Sequence, residues 1–292
     1  MIRLRIDGMS IPLPSGWHEL KQVDACKILE LREMGLKKNI FYWQVLKLLL
    51  EMPTTWKAQV IYFLFRFKWF QFFLNEKMMK IFALWKLVAK ADEDDQLTLL
   101  QFMTWTEEKP VLKKAANIDI DVSDFMEHYH QRGRWRRPAD DGANLDFETL
   151  LDAIHYFSAY CRNQDEEDLC KLIAVLYFRV EGNYDPVYLG YAAGKVKALP
   201  YGLKLYIRQW FADIFETIVE VHPDVFPKPV EGEEPKPDPY GLAGFMHRMA
   251  GKQFGPLEQL KRTRGIEVLD GFQIEITDLK ERTKPTPQPE TV

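Results

Sequence analysis

The chain has 292 residues, 47% of them hydrophobic and 28% charged, with a formal net charge of −4. That balance excludes a low-hydrophobicity disordered chain and a protein that holds nucleic acid through bulk positive charge. Cys26, Cys161 and Cys170 are odd in number and lack metal-ligand spacing, which excludes a disulfide framework and points to a reducing compartment.

Residues 2–6 (IRLRI) alternate apolar and basic side chains, the period of a half-exposed strand. Asp7-Gly8 supplies a turn, because Gly accepts φ > 0 and Asp bonds its own backbone. Residues 9–13 can return as a second strand, which Pro12 and Pro14 keep short. A small N-terminal β-hairpin over residues 1–16 is therefore expected. No uncharged apolar stretch follows the start, so no signal peptide is expected.

Trp17 leads into a helix over 18–34, which Gly35 stops. A second helix is expected over 39–51, with Tyr42, Val45, Leu46, Leu49 and Leu50 on one side and Pro53 at its end. Over 57–75 two periods compete. Phe63, Phe65, Phe67 and Trp69 alternate as in a strand, whereas Val60, Leu64, Phe67 and Leu74 keep helical spacings. The apolar run 61–74 contains Arg66 and Lys68 and is too short to cross a bilayer, so no membrane span is expected. Residues 78–87 extend this element or form another, and the acidic run 92–95 reads as a solvated loop.

Residues 110–145 read as an irregular insert. Ile118, Ile120 and Val122 alternate with Asp119 and Asp121, an edge-strand pattern. Ser123 can cap a short helix through Tyr129. A basic turn over 132–138 follows. The clearest helical stripes come next. From an Asp146 N-cap they run Leu150, Leu151, Ile154, Phe157, Ser158 and Cys161. Behind the acidic patch 165–168 come Leu169, Leu172, Ile173, Leu176 and Val180. Over 202–221 the stripe is Leu203, Ile207, Trp210, Phe211, Ile214, Phe215 and Ile218. The stretch 226–239 is rich in Pro and acid and reads as an extended linker. Helices are expected over 240–250, from Leu257, and over 266–272.

The resulting fold class is mainly α. A helical body over 17–226 carries the insert near 110–145. Around it lie a small N-terminal β-hairpin, a Pro-rich linker over 227–239, a C-terminal helical segment over 240–279 and a disordered tail over 280–292.

Candidate chemistry is sparse. His128 and His130 form the one close His pair, but no third or fourth ligand stands at metal spacing, and a polar surface cluster is expected. Cys161 and Cys170 fall near apolar stripes and read as small buried thiols. There is no Walker loop, no G-x-S-x-G, no H-E-x-x-H and no G-x-G-x-x-G after a strand. No catalytic residue, metal ligand or cofactor is assigned. Arg132, Arg134, Arg136 and Arg137 around Trp135 form the one basic and aromatic cluster, a chemistry that suits a partner protein, an anion or a nucleic-acid backbone. Trp17 joins these five as an expected interaction residue. If the cluster binds an anion, its arginines should converge with His128, His130 and a carboxylate on a concave surface.

Two stretches resemble proteins of tailed bacteriophages. The opening order, Ile6, Asp7-Gly8, Ile11-Pro12, Trp17 and Leu20, is similar to the start of small phage and prophage proteins. Residues 245–269 (FMHRMAGKQFGPLEQLKRTRGIEVL) resemble the closing helices of tail assembly chaperones, through Ala250-Gly251, Phe254-Gly255, Leu257 and Val268-Leu269. The resemblance implies a non-enzymatic protein of the host cytoplasm or the virion. It would bind other phage tail or head proteins during assembly, with self-association as a further outcome. The residues alone also allow a cytoplasmic anion- or nucleic-acid-binding protein that uses the turn 132–137.

Overall fold

The structure, a computed structural model, describes residues 2–6, 9–49, 103–227 and 254–283. The Asp7-Gly8 turn, the elements expected within 57–95, residues 228–239 of the linker, the helix over 240–250 and the tail beyond 283 lie outside them. Nine α-helices occur among the described residues, so the fold is mainly α. The chain divides into two compact units. Unit 1 is Met1–Leu112 with Tyr201–Tyr206, and unit 2 is Lys113–Pro200 with Ile207–Val292.

In unit 1, β1 (Ile2–Ile6) pairs antiparallel with β2 (Met9–Leu13), with Leu4 opposite Ile11. A 3-10 turn over Trp17–Glu19 precedes α1 (Gln22–Glu33) and α2 (Lys38–Leu49). The expected single helix from residue 18 is broken because Glu19 folds back. Its carboxylate accepts the Ser15 N–H at 2.8 Å, and Leu20 and Lys21 stay extended. Trp17 is buried, with its ring edge-on to Trp105 at 5.8 Å and the Arg32 guanidinium 5.9 Å from its centroid. It is a core residue of unit 1. The Gly202 N–H donates to Glu30 Oε1 at 2.8 Å, and a Cβ there would collide with the Cys26 carbonyl.

Unit 2 opens with α3 (Ser123–Tyr129) and β3 (Gly133–Trp135). Next come α4 (Phe147–Asn163), α5 (Glu166–Tyr177) and β4 (Phe178–Val180). Then follow α6 (Leu189–Val196), α7 (Tyr201–Val221, in unit 2 from Ile207), α8 (Leu257–Arg262) and α9 (Gly265–Thr283). The acids read as N-caps act as such: Asp146 accepts from the Thr149 N–H at 2.8 Å and Asp165 from the Glu167 N–H at 2.9 Å.

The middle of unit 2 is α5. Apart from Lys171, every residue from Leu169 to Val180 is buried, and α4 and α6 pack against it. A helix buried on all sides supplies core rather than surface. Each Leu, Ile or Val so buried contributes about 1.5–3 kcal/mol. The face of α4 that meets this core runs through Phe147, Leu150, Ala153 and Tyr160. It therefore leaves Cys161 exposed, against expectation, while Cys170 is buried.

Three further expectations change. The basic turn over 132–138 is in part a strand: β3 pairs antiparallel with β4 in a two-stranded sheet mid-chain. Residues 117–122 form no strand. The chain just before them is held by side chains instead, since the Ala115 N–H donates to Asp140 Oδ1 and the Tyr177 hydroxyl to the Ala116 carbonyl at 3.0 Å each. Finally, α9 reaches Thr283, into the stretch expected to be tail. The Asp224 carboxylate holds it there, accepting from Gln273 at 2.7 Å, from Thr277 at 3.0 Å and from Lys280.

Gly133 admits α3 onto the sheet. A Cβ at this position would stand 2.6 Å from Phe125 Cδ1 and 2.8 Å from Phe178 Cζ. Gly133→Ala should therefore destabilise unit 2 by roughly 1–3 kcal/mol, the cost of overpacking. Urea denaturation checks this, and an unchanged midpoint would show that the Phe125 ring yields freely.

Candidate anion-binding site

Two backbone stitches assemble the site. The first is the β3–β4 ladder, with Arg134 opposite Arg179 and Trp135 opposite Phe178. It continues on both sides, through Arg136 N–H to the Tyr177 carbonyl at 2.8 Å and Glu181 N–H to the Arg132 carbonyl at 2.9 Å. Beyond β4 the chain reverses over Val180–Asn183. Glu181 at φ 50° and Gly182 at φ 95° take the left-handed conformation that such a tight turn needs.

The second stitch joins the start of α4 to the α8–α9 corner. Phe147 N–H donates to the Thr263 carbonyl and Gly265 N–H to the Leu145 carbonyl, both at 2.9 Å. Gly265 permits the approach, since a Cβ there would lie 2.7 Å from Leu150 Cδ2. Arg262 and Arg264 flank this stitch, and Arg262 also donates to the Tyr184 carbonyl at 2.9 Å.

Between the stitches lies a pocket of about 180 Å³. Arg136, Arg137, Arg179, Arg262 and Arg264 line it, against the single carboxylate of Asp146. Asn144, Asn183, Gly182 and Pro138 complete the wall. The five guanidiniums differ in how they are held.

Arg179 is the buried one, 8% exposed. It folds back on the end of α5, donating to the Val175, Phe178 and Leu176 carbonyls at 2.7, 2.8 and 3.2 Å. Helix C-termini carry unsatisfied carbonyls and partial negative charge, so a cation is stabilised there. Burial lowers its pKa to about 10, with Asp146 opposing the shift and Arg136 adding to it; the side chain stays charged at neutral pH. Arg137 donates from Nε to the Ala115 carbonyl at 2.9 Å and pairs with Asp140. Arg264 reaches Glu267 at 3.4 Å and is 69% exposed. The exposed Arg136 guanidinium has no hydrogen-bond or ion-pair partner among the described residues.

Of the residues singled out from the sequence, Arg136 and Arg137 line the pocket. Arg132 and Arg134 are exposed and do not. Trp135 packs on Phe178, ring centroids 5.2 Å apart. His128 and His130 stand at the end of α3, outside the pocket lining. No group of three His, Cys, Asp or Glu able to hold a metal comes together among the described residues. Sequence reading missed Arg179, Arg262 and Arg264. The run 261–264 (KRTR) was a visible basic signal, whereas Arg179 lay hidden in what read as a helical stripe.

Replacing Arg179 tests its role in the fold. Arg179→Met keeps the length and loses three charge-assisted bonds, leaving the α5 carbonyls unpaired. A loss of about 2–3 kcal/mol in chemical denaturation is expected. Unchanged stability would show that the guanidinium does not hold the end of α5.

No family model, curated protein or solved structure matches the chain.

Proposed function

We propose that the protein is a non-catalytic anion-binding protein whose recognition site is the arginine pocket of unit 2. One observation carries this reading: five guanidiniums surround one pocket against one carboxylate, in a chain whose net charge is −4. Concentrated like charge costs folding energy unless something neutralises it, and a concave wall focuses its field on an incoming anion. Arginine is the cation suited to such work, because its planar fork meets carboxylate or phosphate oxygens in pairs. The lining supports a binding role. It holds no Ser, Cys, His or Lys, and Asp146 is already engaged as the N-cap of α4.

Thermal unfolding in phosphate or sulfate, against chloride at equal ionic strength, tests the proposal. Ligand that binds only the folded state raises the midpoint with concentration. The rise should shrink at least tenfold in apparent affinity in the double variant Arg136→Gln, Arg264→Gln. A midpoint indifferent to both anions would sink the reading.

Phage tail or virion assembly is proposed as the biological setting, on the resemblance of the two chain ends alone. Trp17, Val268 and Leu269, which contribute to that resemblance, are buried. Contact with tail or head proteins would therefore have to use other surfaces. Co-expression with such proteins followed by pull-down should recover a complex, and its absence with every tail and head component would remove this setting.

A further inference from the structure

We infer that the pocket takes a compact phosphoryl group carrying two or more negative charges, a pyrophosphate or the terminal phosphate of a monoester. The inference rests on the anion-binding reading and narrows it to one ligand chemistry.

Size sets the first limit. A cavity of about 180 Å³ accommodates a phosphoryl group or a pyrophosphate together with ordered water. Charge sets the second. Asp146 lines the pocket, and Asp140 and Glu267 pair with Arg137 and Arg264, so the five guanidiniums keep an excess of two positive charges, which a dianion matches and a monoanion does not. A phosphate monoester is close to a dianion at neutral pH, because its second proton leaves near pH 6.

Direction sets the third. The guanidiniums arrive from separate segments: Arg136 and Arg137 after β3, Arg179 on β4, Arg262 and Arg264 at the α8–α9 corner. Donors converging from several sides suit tetrahedral oxygens. A planar carboxylate is met by one fork.

The same wall argues against a nucleic-acid strand. No aromatic side chain lines the pocket, so no base can stack there. A strand carries one charge per phosphate and would place a single phosphate in the cavity, too few contacts for strand affinity. The free Arg136 guanidinium and the exposed Arg264 are the arms that close on the ligand. Arg179, Arg137 and Arg262 are already tied to backbone carbonyls and supply a fixed charged floor. Fixing donors in advance lowers the entropy lost on binding.

Calorimetric titration of the full chain at constant ionic strength tests this. The probes are pyrophosphate, phenyl phosphate, dimethyl phosphate, acetate and a single-stranded oligonucleotide without terminal phosphate. Pyrophosphate and phenyl phosphate should bind at least tenfold more tightly than the other three. Phenyl phosphate should tighten between pH 5 and pH 7.5, as its second proton leaves. Arg136→Gln and Arg264→Gln, both at exposed positions, should each weaken pyrophosphate severalfold with an unchanged circular dichroism spectrum. Comparison of the first two probes separates a free polyphosphate from an esterified phosphate as the source. Dimethyl phosphate, acetate or the oligonucleotide binding as tightly would overturn the inference and leave anion binding standing. No binding of any probe would overturn both.

Discussion

The candidate site depends on one buried charge. Arg179 stands directly after the last turn of α5, and its guanidinium satisfies carbonyls that the helix leaves open. Withdrawing a guanidinium from water is costly, and only well-placed acceptors offset the cost. The three carbonyls do so, two of them in the last turn of α5 and one at the start of β4. With Arg179 folded back, Phe178 takes an extended conformation and the chain becomes β4 rather than a further turn of α5. Without β4 there is no partner for β3, and without β3 there is nothing to hold Arg136 beside the pocket.

The second constraint is close approach. Gly133 and Gly265 lie on opposite stitches, and each stands where a methyl group would strike a packed side chain. In sequence Gly133 looked like part of a turn, because it sits among arginines. In the structure it is a strand residue whose missing side chain makes room for Phe125. Neither glycine needs φ > 0, so both serve packing rather than backbone freedom. The two stitches bring residues 136–137, 179 and 262–264 around one cavity.

Helices with strong periodicity and an acidic cap were legible in the sequence: α4 and α5 carry Asp146 and Asp165 where the reading placed them. The charge of 132–137 was legible as well, but only Arg136 and Arg137 turned out to share a pocket. The rest was hidden for a physical reason. A three-residue strand has too few positions to show a period, and its partner is remote in sequence. Val180 continued the spacing of Leu172 and Leu176, so the end of α5 left no trace in the apolar pattern. The role of Trp17 was not legible, because an aromatic at a chain turn looks alike whether it meets a partner or, as here, Trp105.

Net charge is a poor guide to such a site. The −4 of the whole chain bears only on bulk attraction of polyanions. It says nothing of a cavity where backbone pairing gathers five arginines. There the useful distinction is between guanidiniums spent on the fold and those left over. Arg179, Arg137 and Arg262 hold carbonyls, so their positions are set by the same bonds that stabilise unit 2. The carbonyls are neutral, so the charges of Arg179 and Arg262 still act across the pocket, whereas that of Arg137 is offset by Asp140. Arg136 and Arg264 contribute little to the fold and keep most of their donors open. Structural need thus fixes the floor of the site, and the two loosely held arms are where ligand preference can change without unfolding the protein.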